Sequence, residues 1–219
     1  MSAKLVLCLA GLAMLSACGG GGGGTDPTDA FTANAQAFAT MSDQVVGDGT
    51  GANPGLTHTS PSNMPASGTA SFNGYAAVLG GYSSDPNPRL ALVAPATMSA
   101  DFASGSITGS ATGFTGVNVD PATGDPVGSP ANYAGTITLS NGCTGAVVGC
   151  AVAGTPYAVS ATGSGTLTGD GNSLTASVPM AGLIYGNPGV KAINLAGITN
   201  GATLNGTTAV AEMSFVGTK

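Results

Sequence analysis

From Gly68 to the C-terminus, small or apolar residues alternate with threonine and serine. The rows of small or apolar residues, read at every second position, are 133–139, 157–167, 174–184 and 209–215. Successive side chains of a β-strand point to opposite faces, so this period of two predicts half-buried antiparallel strands. Threonine favours strands and hydrates their outer face without charge. That property explains why charged residues make up only 6% of the chain.

The alternating segments predict an all-β fold, a small closed antiparallel barrel of eight strands. The predicted strands are 69–79, 88–94, 97–103, 105–114, 132–140, 157–168, 173–185 and 208–217, with a weaker one near 202–206. Turn-forming residues separate several of them, at 84–88, 120–126 and 169–172. A transmembrane barrel is the alternative, because alternation alone does not say which face points inward. Against it, aromatic residues make up 5% of the chain and form no paired girdles.

The N-terminus has the pattern of a lipoprotein signal peptide. Lys4 precedes an apolar run from Leu5 to Leu15, which is too short to span a bilayer as a helix. Leu15-Ser16-Ala17-Cys18 resembles the bacterial lipobox. The resemblance implies cleavage before Cys18 and its acylation, for example with palmitate, and an ordinary secretory peptide is the alternative. Gly19 rather than aspartate follows Cys18, which implies delivery to the outer membrane of a Gram-negative cell.

Three parts are predicted along the chain. Residues 1–17 are the signal peptide, 18–67 a lipidated, glycine-rich tether with a variable segment, and 68–219 the barrel. The six glycines of 19–24 are expected to form a flexible coil. Residues 47–67, rich in Gly, Pro, Ser and Asn, are expected to form a loop or linker. Within 25–46 we expect one short helix, capped by Asp29, with an apolar face of Phe31, Ala35, Phe38 and Met41 or Ser42.

Charge and composition argue against several functions. Without residues 1–17, three basic residues face ten acidic ones, a net charge of −7 that leaves no nucleic-acid footprint. The chain has no Gly-x-Ser-x-Gly elbow and no metal-binding motif, and its only histidine (His58) and only glutamate (Glu212) lie in different sequence contexts. We therefore expect no enzyme activity, no bound metal, and no cofactor other than the covalent lipid on Cys18.

Cys143 and Cys150 are the strongest candidates for a structural site. They are separated by six residues in SNGCTGAVVGCAV, between two predicted strands. In an exported protein this pair predicts a disulfide that closes a hairpin loop. A metal site would need further soft ligands, and the sequence has none nearby. We expect the closed apolar loop, Ala146 to Val148, to present a preorganised contact surface.

Two weaker candidates are His58 and the aspartates of the 120–126 turn. His58 is the only histidine available as a haem ligand, but a solvated loop histidine is the simpler interpretation. Asp120 and Asp125 offer too few regularly spaced oxygen ligands for calcium, so we expect an ordinary turn there.

Four segments resemble the barrel domain of the transferrin-binding protein B family. Pro65 to Gly74 resembles its opening strand, Ala100 to Gly109 its central hairpin, Tyr185 to Gly197 its aromatic-glycine turn, and Phe215 to Lys219 its closing strand. Lys191 and Asn194 stand where an acidic residue is usual. The chain also has a single barrel, without handle domains or a second lobe, so transferrin itself is not implied as the ligand.

The resemblance implies a surface-exposed outer-membrane lipoprotein that binds a host protein, haem or another nutrient ligand without catalysis. Binding is expected at loops of one barrel end, with the ligand-binding residues unknown. The alternative is a structural envelope lipoprotein that captures no ligand. We expect a monomer held to the outer membrane by its lipid.

Overall fold

The structure, a computed structural model, describes residues 26–84 and 89–219. Eight strands form one closed antiparallel barrel, in which consecutive strands pair and the last pairs with the first. The strands are β1 (Thr69–Tyr82), β2 (Leu90–Asp101), β3 (Ser106–Val119), β4 (Pro126–Thr144), β5 (Ala158–Gly169), β6 (Asn172–Tyr185), β7 (Ala192–Leu204) and β8 (Thr207–Thr218). One α-helix, α1 (Pro27–Val45), and a 3-10 turn (Pro61–Asn63) precede them. The predicted all-β, eight-stranded closed barrel is confirmed.

The predicted apolar rows point into the barrel. Large side chains such as Phe72, Leu92, Ile137, Leu167 and Phe215 are at most 1% exposed and belong to one continuous core. The opposite faces of β5 and β6 carry threonine and serine. A transmembrane barrel would place its apolar row outside, against lipid, so the orientation found here is the reverse. Among the described residues, no helix has the length and apolar character needed to cross a membrane.

Two strand predictions are wrong. The sequence predicts separate strands at 88–94 and 97–103, but the chain runs through Pro95 as a single strand, β2. Pro95 is exposed, and the pairing of β2 with β3 changes register between Val93 and Ala96. A register change of this kind is where a strand tolerates a residue that has no N–H to donate.

The second error concerns β7. The sequence predicts only a weak strand near 202–206, whereas β7 covers Ala192–Leu204. Its glycines and asparagines give little local signal for a strand. Closure of the barrel supplies pairing partners on both sides, β6 and β8. This strand therefore forms because of its pairing with β6 and β8 and not because of its local sequence.

Helix α1 packs on the outside of the barrel. Its buried residues include Phe31, Ala35, Phe38 and Ser42, so the predicted apolar face is confirmed. The predicted cap is wrong: the carboxylate of Asp26 accepts the Thr28 N–H at 2.8 Å. Asp29 lies in the first turn, where a negative charge stabilises the helix N-terminus.

The helix covers a second apolar cluster on the outer barrel wall. Beneath it lie outward-facing residues of β1, β2, β3 and β8, together with residues where β6 ends and β7 begins: Ala77, Leu79, Ala91, Val93, Val117, Val119, Tyr185, Ala192 and Val216. These outer positions are buried because Phe31 and Phe38 pack against them. The barrel thus has one core inside and a smaller one between its wall and α1.

Candidate functional site

Three connections meet at one end of the barrel, which we call the disulfide end. They are the β2–β3 turn (102–105), the β4–β5 loop (145–157) and the β6–β7 loop (186–191). Neighbouring strands run in opposite directions, so the connections 120–125, 170–171 and 205–206 lie at the other end, the hairpin end.

Part of the predicted 47–67 linker also lies at the disulfide end. The Thr59 N–H donates to the Ile184 carbonyl at 2.9 Å, and the Gly186 N–H donates to the Thr57 carbonyl at 2.8 Å. His58 forms an antiparallel bridge with Tyr185 between these two bonds. Residues 57–59 are therefore fixed beside the end of β6.

Cys143 and Cys150 form a disulfide at this end, as the sequence predicts, with their Cα atoms 5.9 Å apart. Backbone bonds close the loop further, because the Gly145 N–H donates to the Ala158 carbonyl at 2.8 Å and the Gly154 N–H donates to the Gly145 carbonyl at 2.9 Å. We call residues 145–157 the stapled loop. Its backbone is held in place by covalent and hydrogen bonds together.

The surface of the stapled loop is apolar. Its exposed side chains are those of Ala146, Val148, Ala151 and Ala153, and no residue from 145 to 157 is charged. Val148 is 98% exposed and projects furthest into solvent of the large apolar side chains of the loop. The sequence already indicated an apolar loop, but not which side chain would project from it.

The β2–β3 turn supports the stapled loop from one side. The Thr144 N–H donates to the Gly105 carbonyl at 2.8 Å. Gly105 has a φ of +68°, and a Cβ there would collide with Val147. Next to it, the Ala103 N–H donates to the Asp101 carboxylate at 2.9 Å, and such backbone bonds lower the pKa of Asp101. A glycine and an ionised aspartate thus shape the turn on which Val147 rests.

His58 is exposed, as expected of a loop histidine, but its ring is held in place. Its imidazole stacks on the ring of Tyr157, with centroids 4.2 Å apart and planes 4° from parallel. Burial raises the pKa of the neighbouring Tyr185 phenol. The structure does not bring Glu212 to this histidine: Glu212 lies within β8, opposite Leu79 and Ile198. The structure does not test the alternative that His58 binds haem.

The hairpin end carries a network of amide side chains that the sequence did not reveal. Asn172 donates to Asn118 at 3.0 Å, Asn118 donates to Asp170 at 3.2 Å, and Asn205 donates to Asn172 at 3.1 Å. Asn205 also accepts the Ser173 N–H at 2.8 Å. The network links β3 to the β5–β6 and β7–β8 hairpins. Its members are too far apart in sequence for a local pattern to show them.

Replacing Asn172 with alanine is expected to lower the free energy of unfolding by about 1–2 kcal/mol, because it removes the donor to the partly buried Asn118 and to the hydroxyl of the buried Tyr133. Urea denaturation followed by circular dichroism measures the change. Asn200→Ala, at an exposed position of β7, is the matched control and should change stability by less than about 0.5 kcal/mol. Equal effects of the two substitutions would contradict a stabilising network.

The predicted turn at 120–126 is confirmed. The Asp120 N–H donates to the Asp125 carbonyl at 2.8 Å, and the Asp120 carboxylate accepts the Ala122 N–H at 2.7 Å. Within 26–84 and 89–219, no group of three or more His, Cys, Asp or Glu side chains is arranged to hold a metal ion. Cys18, the predicted signal peptide, the glycine run and most of the predicted turn at 84–88 lie outside the described residues.

Removal of the disulfide by Cys143→Ser with Cys150→Ser should cost about 2–3 kcal/mol of stability, the chain-entropy value for so short a loop. Thermal unfolding without reductant measures the loss. Reductant should destabilise the native protein and leave the double variant unchanged. If reductant lowers the melting temperature of both proteins equally, the disulfide does not account for the stability of the loop.

Comparisons with known proteins complete the description. No protein-family model matches the chain, and no significant match is found among curated proteins. Similar structures include a double mutant of Transferrin Binding Protein B (TbpB) from Haemophilus parasuis Hp5, with TM-score 0.40 and 13% identity, and a single mutant of it, with TM-score 0.41 and 12% identity. Another is intact Ap-TbpB with its N and C lobes, with TM-score 0.37 and 11% identity.

Each of these similarities covers 74% of this chain. The chain matches only 27–28% of the length of those structures. At 11–13% identity the likeness is one of fold, and it is to the family that the sequence resembles.

Proposed function

We propose that this chain is an outer-membrane lipoprotein, acylated at Cys18 and facing the cell exterior, that binds a host protein, haem or another nutrient ligand without catalysis. The lipobox-like residues Leu15 to Cys18 support the anchor. We place the binding surface at the disulfide end. The observation that carries this assignment is the stapled loop, with Val148 98% exposed on a backbone closed by a disulfide.

The filled interior of the barrel favours binding at its loops. Apolar side chains from all eight strands pack together inside the barrel. A ligand therefore has to be recognised on the outside. A loop that is already ordered loses little conformational entropy on binding, and an exposed apolar group gains free energy when a partner covers it.

The course of α1 supports a placement of the disulfide end away from the membrane. Its C-terminal end lies near the disulfide end, since the Leu56 N–H donates to the Val45 carbonyl at 3.0 Å just before Thr57 meets β6. The outer cluster that α1 covers extends along the wall of the barrel. It runs from Tyr185, at the disulfide end, to Val119, close to the hairpin end. A helix of 19 residues is about 28 Å long, so its N-terminal end points toward the hairpin end, and the chain leads from there to Cys18.

Affinity capture tests the proposal. The mature chain with Cys18→Ser is immobilised and exposed to host serum, and haem is titrated into the same protein in a separate experiment. A ligand retained saturably in either experiment is the expected result. Protease treatment of intact cells should remove the native protein from the surface.

The opposite results would contradict the proposal. Protection from protease on intact cells would place the protein inside the envelope. That result, with no saturable ligand in serum or in the haem titration, would favour a structural lipoprotein. Loss of labelled palmitate incorporation in Cys18→Ser is expected if Cys18 is the acylated residue.

A further inference from the structure

We infer that the Cys143–Cys150 disulfide is a thiol-exchange site. A small-molecule thiol attacks Cys143, and Cys150 leaves as a thiolate that the Ser160 hydroxyl stabilises. Ser160 of β5 is paired directly with Cys143 of β4, which puts their side chains on the same face of the sheet. Val159 and Ala161, on either side of Ser160, belong to the interior core, so this face is the outer wall of the barrel. The inference does not depend on the proposed binding function.

The Ser160 hydroxyl is close to both sulfur atoms. Its oxygen lies 3.3 Å from the Cys143 Sγ and 3.4 Å from the Cys150 Sγ. Neither sulfur of a disulfide carries a hydrogen, so the hydroxyl is the donor in both contacts. Sulfur is a weak acceptor in a disulfide, whereas a thiolate accepts a stronger, charge-assisted hydrogen bond. The hydroxyl thus stabilises the thiolate that exchange releases more than it stabilises the intact disulfide, and such a difference speeds a reaction.

Exposure to solvent distinguishes the two cysteines. Cys143 is partly exposed, whereas Cys150 is buried, at 8% exposure. Cys143 also pairs with Ser106 of β3, so it has a small, uncharged side chain on either side of it in the sheet. An incoming thiolate therefore reaches Cys143 more easily, and Cys150 is the leaving group. Partial exposure favours a small molecule over a thiol on the surface of a folded protein.

The exchange step needs no reagent besides the thiol. The thiol loses its proton to water, and its thiolate forms a bond with the Cys143 Sγ while the bond between Cys143 and Cys150 breaks. The electron pair of the broken bond stays on the Cys150 Sγ. One disulfide is consumed and one mixed disulfide is formed, so no net oxidation or reduction takes place.

Backbone hydrogen bonds hold Cys150 in place after the step. The Cys150 N–H donates to the Val147 carbonyl at 3.2 Å, and the Ala153 N–H donates to the Cys150 carbonyl at 3.0 Å. Val147 is held in turn, because its N–H donates to the Thr144 carbonyl at 3.0 Å. The Cys150 thiolate therefore stays within reach of the mixed disulfide and displaces the small thiol once its concentration falls. The modification is reversible.

Trapping of the mixed disulfide tests which sulfur is attacked. Residues 18–219 with Cys18→Ser contain Cys143 and Cys150 as their only cysteines. The probe is 2-mercaptoethanol, the reaction is quenched with acid at early times, and mass spectrometry locates the mixed disulfide. We expect it on Cys143 in most molecules. A mixed disulfide found mainly on Cys150 would overturn the inference.

Replacement of the hydroxyl tests the role of Ser160. Ser160→Ala should slow formation of the mixed disulfide by about threefold or more, because the leaving sulfur carries part of the negative charge in the transition state. Ser164→Ala is the matched control, since it removes a partly exposed hydroxyl from the same strand, and it should react at the native rate. An equal or faster reaction of Ser160→Ala would show that the hydroxyl does not assist the exchange.

A second measurement separates this effect from a loosening of the loop. In the fully reduced chain, Cys150 should react with iodoacetamide at neutral pH about threefold more slowly in Ser160→Ala than in the native protein, because less of it is thiolate. A loosened loop would expose Cys150 and raise its reactivity instead. Faster or unchanged alkylation would therefore contradict the role assigned to Ser160.

Discussion

Gly182→Ala is expected to lower the free energy of unfolding by about 3 kcal/mol, at the upper end of the usual cost of overpacking. Gly182 of β6 pairs with Leu195 of β7. A Cβ at Gly182 would collide with the carbonyl of Asn194 and lie 2.9 Å from the Leu195 Cα. These are backbone atoms and cannot rotate away as a side chain would. The substitution therefore forces β6 and β7 apart.

Urea denaturation of the purified chain measures this loss. Gly201→Ala is the matched control, because a Cβ at Gly201 meets only the Thr199 hydroxyl, at 3.5 Å. The control should stay within about 0.5 kcal/mol of the native protein. If both alanine variants are equally stable, β6 and β7 do not approach as closely as described.

Phe215→Ala should cost about 3–5 kcal/mol, the usual range for removing a buried phenylalanine. Phe215 is 0% exposed in the barrel interior, on β8 between Ala76 of β1 and Leu195 of β7. The cavity it leaves is enclosed by a closed sheet, which limits how far the surrounding side chains can relax. For a domain of this size we expect the melting temperature to fall by about 10 °C.

Phe102→Ala provides the comparison for the core substitution. Phe102 is only partly buried, in the β2–β3 turn, and packs against one end of the same core. Its removal should cost clearly less than that of Phe215. Equal losses in calorimetry would contradict a barrel filled with side chains, and with it the reason for placing ligands at the loops.

The parts of the fold that could be predicted are those with a regular local pattern. The row of small or apolar residues from Leu174 to Ile184, read at every second position, becomes the inner face of β6. Phe31, Ala35 and Phe38 recur at helical spacing and become the buried face of α1. The cysteine pair, in a chain with a lipobox-like N-terminus, was sufficient to predict the disulfide.

The parts that could not be predicted depend on contacts between distant residues. Asn194 and Gly197 weaken the local signal for β7, which forms because β6 and β8 both pair with it. Proline usually ends a strand, so Pro95 predicts a break. The register change beside it allows β2 to continue. Aspartate is a favoured N-cap residue, so the residue type does not distinguish Asp26 from Asp29. Only the backbone geometry shows that Asp26 caps α1.

The candidate site, like the fold, could be predicted only where its features depend on local sequence. The apolar composition of the stapled loop is visible in the sequence, so Ala146 to Val148 could be singled out. The 98% exposure of Val148 and the support of Val147 by Gly105 could not, because they depend on how the β2–β3 turn packs against the loop. His58 could not be placed against Tyr157 for the same reason.

Hydrogen–deuterium exchange of residues 18–219 with Cys18→Ser, alone and bound to the ligand retained in the serum or haem experiment, tests the central claim most directly. The claim is that binding takes place at the disulfide end. We predict slower exchange in 145–157, and weaker protection in 102–105 and 186–191. Exchange in 120–125, 170–171 and 205–206 should be unchanged. Protection confined to these hairpin-end connections, with 145–157 unaffected, would contradict it.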